Sequence, residues 1–221
     1  MDIYILIANI GVFLCSLIGT IYGVKFFFRP KKALYLQMIT CGIICIMYAR
    51  MFQTIFLLTH GGLNDGFQVG LLGTMGSFMF FLSANYVQMD GLVDDGTSKF
   101  RMTRIKALLA PVIVLVMYVF YFLHVDGLRV QIPVGLVVIV MIPCVYYNFK
   151  HIIIYDVELG IIRQLRGYNI LALEYAFVTM LEFWGLYSEN IPLYMISAIG
   201  NGMVALVMLP VLKREAEKWA L

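Results

Sequence analysis

Charged residues are scarce in this sequence, only 13% of its 221 residues, where an ordinary soluble domain carries about 25%. Hydrophobic residues reach 62%, against roughly 45–50% in such a domain. A water-soluble core of this size cannot hide that much apolar surface, and a chain this apolar is not disordered. Cysteine is sparse too. Cys15, Cys41, Cys45 and Cys144 fall in apolar stretches without C-x-x-C spacing, so neither a disulfide scaffold nor a thiolate metal site is expected. The net charge is only +3 and its cations are spread over short segments, which leaves no footprint for nucleic acid. No His pair has metal-ligand spacing, and Gly-x-Ser-x-Gly, His-Glu-x-x-His and Walker sequences are all missing. The expectation is a protein with no catalytic residue, no metal and no cofactor.

What is present is a series of long apolar runs. A helical crossing of a bilayer needs about 20 apolar residues, and seven stretches qualify: 3–28, 33–59, 66–90, 105–124, 131–150, 167–188 and 191–212. They predict an all-α, seven-transmembrane bundle as a single membrane domain over 1–221. The first run lacks a basic leader and holds mid-membrane polar groups, so it reads as a retained helix and not a cleaved signal. Basic residues then set the orientation. Lys25, Arg29, Lys31 and Lys32, then Lys99, Arg101, Arg104 and Lys106, then Lys150, Arg163 and Arg166, and finally Lys213, Arg214 and Lys218 all fall on one side. The other side keeps only Arg129. Cations sort to the cytoplasm, which puts the N-terminus outside and the C-terminus inside the plasma (inner) membrane.

The connections on the outer side are short turns, too small for an extracellular binding domain. On the inner side, residues 150–166 mix apolar and charged residues as a helix at the membrane surface would. Asp90-Gly91-Leu92-Val93-Asp94-Asp95-Gly96 lacks the order of a calcium loop and reads as a turn ending the third segment.

Charges inside the hydrocarbon cost about 2.5–3.5 kcal/mol each at a helix centre, and three are found: Arg50, Glu174 and Glu182. At 1.5 Å per residue, Arg50 and Glu182 both sit about 6 Å to the outer side of their segment midpoints, and Glu174 about 6 Å to the inner side. Two roles suit the first pair: a polar centre that binds a small ligand or proton, or an ion pair that locks two helices. Gln53, Tyr48, Trp184 and Asn201 lie near that level and complete a candidate ligand site, although Trp184 equally suits an interfacial aromatic belt. Ser83 and Asn85 lie near the depth of Glu174, where they would either satisfy it or join it in a proton path. Gly70, Gly73 and Gly76 share one face of the third segment and predict close helix contact.

Three short matches suggest an internal echo. Tyr22-Gly23-Val24-Lys25 resembles Tyr147-Asn148-Phe149-Lys150; Arg50 holds a place like that of Glu182; and Gly76-Ser77 parallels Gly200-Asn201. Segments one to three and five to seven would then be parallel repeats linked by the fourth, a 3+1+3 layout.

The run Lys213-Arg214-Glu215-Ala216-Glu217-Lys218-Trp219-Ala220-Leu221 resembles the lead-in from bacterial membrane sensor regions to diguanylate cyclase or histidine kinase domains. The seven-helix, N-out layout is similar to the input regions of some bacterial sensor kinases. This resemblance implies a signal-input module with a cytoplasmic output domain or partner reached through the last helix. No output motif occurs in the chain, so no catalytic residue is carried over. The layout also resembles small 3+1+3 carriers such as the SWEET transporters, which implies solute or ion transport. Their Pro-Gln signature is missing: none of the prolines is followed by Gln. The last segment has no internal lysine, so a retinal Schiff base has no anchor. The expected function is sensing of a small ligand or ion; the alternative is its transport.

Overall fold

Hydrophobic side chains occur all round most of these segments, and in a bilayer the helix is the single-segment form that satisfies every backbone polar group. The computed structural model describes residues 2–29, 32–60, 69–91, 94–154 and 165–217. Among them 91% are helical and none is in a strand. The elements are α1 (Asp2–Phe27), α2 (Leu34–His60), α3 (Val69–Asn85), α4 (Arg101–Ala107), α5 (Leu109–His124), α6 (Leu128–Ile153), α7 (Arg166–Tyr187) and α8 (Ile191–Glu217). Among the described residues six spans are long and apolar enough to cross a membrane, α4 and α5 counting as one, and α3 is a shorter apolar helix. The predicted surface helix over 150–166 and the last four residues of the charged tail fall largely outside the described residues.

Two departures from regular helix have local causes. Pro111 has no N–H for the carbonyl four residues back, and its ring collides with it. That carbonyl belongs to Ala107, where α4 stops, and α5 resumes as Val112 N donates to Leu108 O at 3.0 Å. At its end α3 widens into a π-helical turn, Tyr86–Asp90, a rare form that often marks functional positions.

The helices close a ring. α1 packs on α2, α2 on α3, α3 on α6, α6 on α7, α7 on α8, and α8 returns to α1. The fourth span stands outside this ring: α4 and α5 lean mainly on α6, with a smaller contact from α5 to α7. The surface is apolar, with Ile3, Ile7, Leu14, Ile18 and Ile21 of α1 and Leu109, Val112, Val116, Val119 and Leu123 of α5 all exposed. Polar side chains do the reverse, since Asn9, Arg50, Gln53, Asn85, Asn148, Lys150, His151, Glu182 and Asn201 are buried. Outward apolar faces of this extent require lipid or a partner. The chain is a multi-pass membrane protein.

Gly127 ends the α5–α6 turn at φ 108°, a backbone region that side-chain-bearing residues avoid. Gly70, Gly73 and Gly76 all face α2, against Gln53, Ala49 and Cys45. A Cβ on Gly73 would lie 2.8 Å from both the Cys45 carbonyl oxygen and the Ala49 Cβ. Backbone cannot yield as a side chain does, so Gly73→Ala is expected to cost about 1–3 kcal/mol through overpacking. Thermal melting in detergent checks this; a variant that melts with the wild type means that α2 and α3 are not held this close.

Candidate functional site

Arg50 of α2 and Glu182 of α7 meet inside the ring. These two helices share no extended seam among the described residues, so the side chains bridge the gap. The guanidinium fork takes the carboxylate with both arms: Nη1 donates to Oε1, and Nη2 to Oε2 at 2.5 Å. The residues are 6% and 4% exposed. Bidentate geometry of this kind is the strongest that an ion pair can adopt. Burial of two charges is offset only when their remaining valences are also filled, and here they are filled from three helices, α1, α2 and α8. Nη1 also donates to Asn9 Oδ1 at 3.2 Å and to Gln53 Oε1 at 3.3 Å. The Asn201 amide of α8 donates to Glu182 Oε2, while Asn9 Nδ2 donates to the Tyr194 hydroxyl at 2.8 Å.

Next to the pair, an aromatic layer joins α3 to α7. The Phe78 and Tyr175 rings are 5.0 Å apart, Phe81 stands edge-on to Tyr175 at 6.0 Å, and Ser77 Oγ donates to the Tyr175 hydroxyl at 3.2 Å.

Of the residues expected near this level, the structure brings Arg50, Gln53, Glu182 and Asn201 together. Tyr48 is 55% exposed, and Trp184 is half-buried beside the His124 ring at 6.0 Å. Each stands two residues from a member of the pair, which is about 200° round the helix. Equal depth therefore places them on the wrong side. Glu174 is exposed on α7 and does not meet Ser83 or Asn85. Ser83 is half-buried, again two residues from its neighbour in the prediction. Asn85 finds other partners, described next. Sequence reasoning passed over Asn9 and Tyr194; Asn9 is an amide in an apolar run within reach of Arg50's depth, which was the available signal.

A second polar cluster lies at the end of the bundle where the cations gather. Lys150 of α6 is 3% exposed; its ammonium contacts Asp90 Oδ1 and Asp94 Oδ2, each at 2.7 Å. Arg104 forks onto Asp94, with Nε and Nη2 both at 2.7 Å. Burial raises the Asp90 carboxyl, but hydrogen bonds from His151 and Lys150 outweigh it and hold that carboxyl below its ordinary value. The Arg104 fork, helped by Lys150 and the Gly96 N–H, holds the Asp94 carboxyl far below its own.

From this cluster a chain of hydrogen bonds runs into the core. Asn148 Nδ2 donates to the Cys144 carbonyl at 2.8 Å, and Asn148 Oδ1 accepts from Asn85 Nδ2 at 2.7 Å. That polarity leaves Asn85 Oδ1 as an acceptor, 3.3 Å from His151 Nδ1, while His151 Nε2 is 3.3 Å from Asp90 Oδ1. Both ring nitrogens of His151 thus face acceptors; the neutral ring has one N–H to donate, to either Asn85 or Asp90, and only a protonated ring could donate to both. In the sequence Asp90 and Asp94 read as a turn and Lys150 as a topogenic lysine, while Asn85 is expected beside Glu174 and not here.

The two networks are fixed, satisfied and charged, and each ties helices that are distant in sequence. A small anion that reached Arg50 would have to displace the Glu182 carboxylate, while the Asn9 and Gln53 side-chain oxygens still accept from Nη1. Compared with known proteins, the chain matches no family model, no curated protein and no solved structure.

Proposed function

We propose that the chain is a non-enzymatic signal-input module of a bacterial plasma membrane, with its basic end in the cytoplasm. In this reading a small polar ligand or ion competes for the Arg50–Glu182 fork, and the change is passed along α8. One observation supports it above others: α8 runs unbroken from Ile191 to Glu217. It holds Asn201 against Glu182, and about 18–21 Å further on, at 1.5 Å per residue, its basic end engages other helices. There Glu215 accepts from the Gly167 and Tyr168 backbone N–H groups at 2.8 and 3.2 Å, and Lys213 lies over Phe26. A disturbance at Glu182 therefore has a continuous helical route to the basic end, with Pro210 on the way leaving the Leu206 carbonyl without its helical donor.

The test is a fusion of the full chain to a cytoplasmic diguanylate cyclase reporter. Glu182→Gln and Asn201→Ala are expected to shift basal output by about threefold or more at unchanged membrane abundance. Output equal to wild type in both variants would reject the reading.

The ring itself favours a second reading, a small carrier built as 3+1+3. If α1, α2 and α3 correspond to α6, α7 and α8, the seam between α3 and α6 maps onto the seam between α8 and α1. Every contact in the ring then has a counterpart, with Arg50 and Glu182 on matched helices. Two such halves rocking about a central site is how many carriers alternate access. Solute-driven or proton-driven flux into proteoliposomes, abolished by Glu182→Gln, would favour transport over signalling.

A further inference from the structure

Cations from three helix ends converge on one cavity at the basic end of the bundle. Its volume is about 530 Å³, and its walls include Arg29 after α1, Lys32 before α2 and Lys213 of α8, over Phe26, Phe27 and Tyr35. The Lys213 ammonium is 3.8 Å from the centre of the Phe26 ring, and the Lys25 ammonium is 5.5 Å from the same ring. Against these charges the lining offers, among the described residues, one carboxylate, Glu217, 3.5 Å from Lys213. Both partners of that pair are solvent-accessible, Glu217 at 64%, so their attraction is weak and readily exchanged. A concave surface that gathers like charges focuses a positive potential and favours an anion. The Phe27 and Leu36 side chains beside it are buried, so the cavity has an apolar flank as well as a cationic rim.

We propose that this cavity binds the phosphodiester headgroup of an anionic phospholipid, with Arg29, Lys32 and Lys213 facing the phosphate. A cationic rim with an apolar flank matches a molecule with a phosphate at one end and acyl chains at the other. Arg29 supplies planar donors suited to phosphate oxygens. Lys213 is held over the Phe26 ring, so its charge is already positioned. Glu217 acts as a displaceable occupant, since a phosphate offers Lys213 the same charge with more acceptor oxygens. The proposal rests on the membrane assignment alone and is independent of signalling or transport.

Native mass spectrometry of the full chain, released from nanodiscs of equal phosphatidylglycerol and phosphatidylcholine, reads the retained lipid directly. The wild type is expected to retain phosphatidylglycerol at least fivefold over phosphatidylcholine. Each of Arg29→Gln, Lys32→Gln and Lys213→Gln should lower that ratio by up to about fivefold, the scale of one cation near an anionic surface. The triple variant should bring it to parity. Glu217→Gln should raise it. If the triple variant fails to fold, Arg29→Gln with Lys32→Gln repeats the measurement and leaves Lys213 on its ring. Equal retention of the two lipids by the wild type would overturn the proposal, as would a preference untouched by neutralisation and by Glu217→Gln alike. Displacement of the lipid by millimolar glycerol phosphate would assign the cavity to a soluble phosphoester instead.

Discussion

Arg50→Ala and Glu182→Ala are each expected to destabilise the protein in detergent by about 3–5 kcal/mol, because each strands the other charge in a buried site. The double variant should lose far less than the sum, since the second substitution removes the stranded charge that the first created. Arg50→Lys should fall between wild type and Arg50→Ala. An ammonium cannot take both carboxylate oxygens with parallel donors as the guanidinium does. Thermal melting of the four proteins in one detergent gives the coupling energy. Additive losses would mean that the fork is not what holds α2 to α7.

The second large effect belongs to Lys150. Lys150→Met removes the ammonium shared by Asp90 and Asp94 while keeping the length of the stem, and is expected to cost roughly 3 kcal/mol, the low end of the range for buried pairs. Its acid profile should change as well. Both carboxyls are held below their ordinary values in the folded protein. A depressed carboxyl stabilises the fold above its unfolded pKa, about 3.9 for Asp. That contribution is lost as pH falls from there toward the folded value. The wild type should therefore lose melting temperature below about pH 4, and Lys150→Met should do so less steeply. The Arg104 fork on Asp94 preserves part of the slope. Superimposable acid profiles would show that Lys150 contributes nothing to that dependence.

These two networks differ in how far the sequence disclosed them. Depth in a membrane is legible because each residue advances a helix by 1.5 Å, and on that basis Arg50 and Glu182 were paired across 132 positions. Rotation is not legible in the same way. Segments that are apolar nearly all round give no stripe to show which face turns inward, so Tyr48 and Trp184 joined the candidate site by depth alone and stand about 200° away from it. Glu174 was grouped with Ser83 and Asn85 for the same reason. The cluster at the basic end was hidden by another gap. Asp90 and Lys150 are each ordinary at a helix end, and their meeting depends on the α3–α6 seam, which joins elements with the whole fourth span between them. The π-helical turn before Asp90 has no sequence signature at all. Apolar runs thus disclosed helices, and isolated charges disclosed one centre. Seams between non-consecutive helices came only from the three-dimensional arrangement.

The long separation within the fork has a consequence for biosynthesis. A chain made at about 5–20 residues per second delivers Glu182 roughly 7 to 26 s after Arg50. Throughout that interval Arg50 is in or near the bilayer without its counter-charge. Two of its partners do not have to wait. Asn9 precedes it by 41 positions and Gln53 follows it by three on the same helix, so both have been synthesised by the time α2 is complete. The amide oxygens that look like accessories in the finished bundle are therefore the first partners available to the arginine, since the carboxylate arrives only with α7.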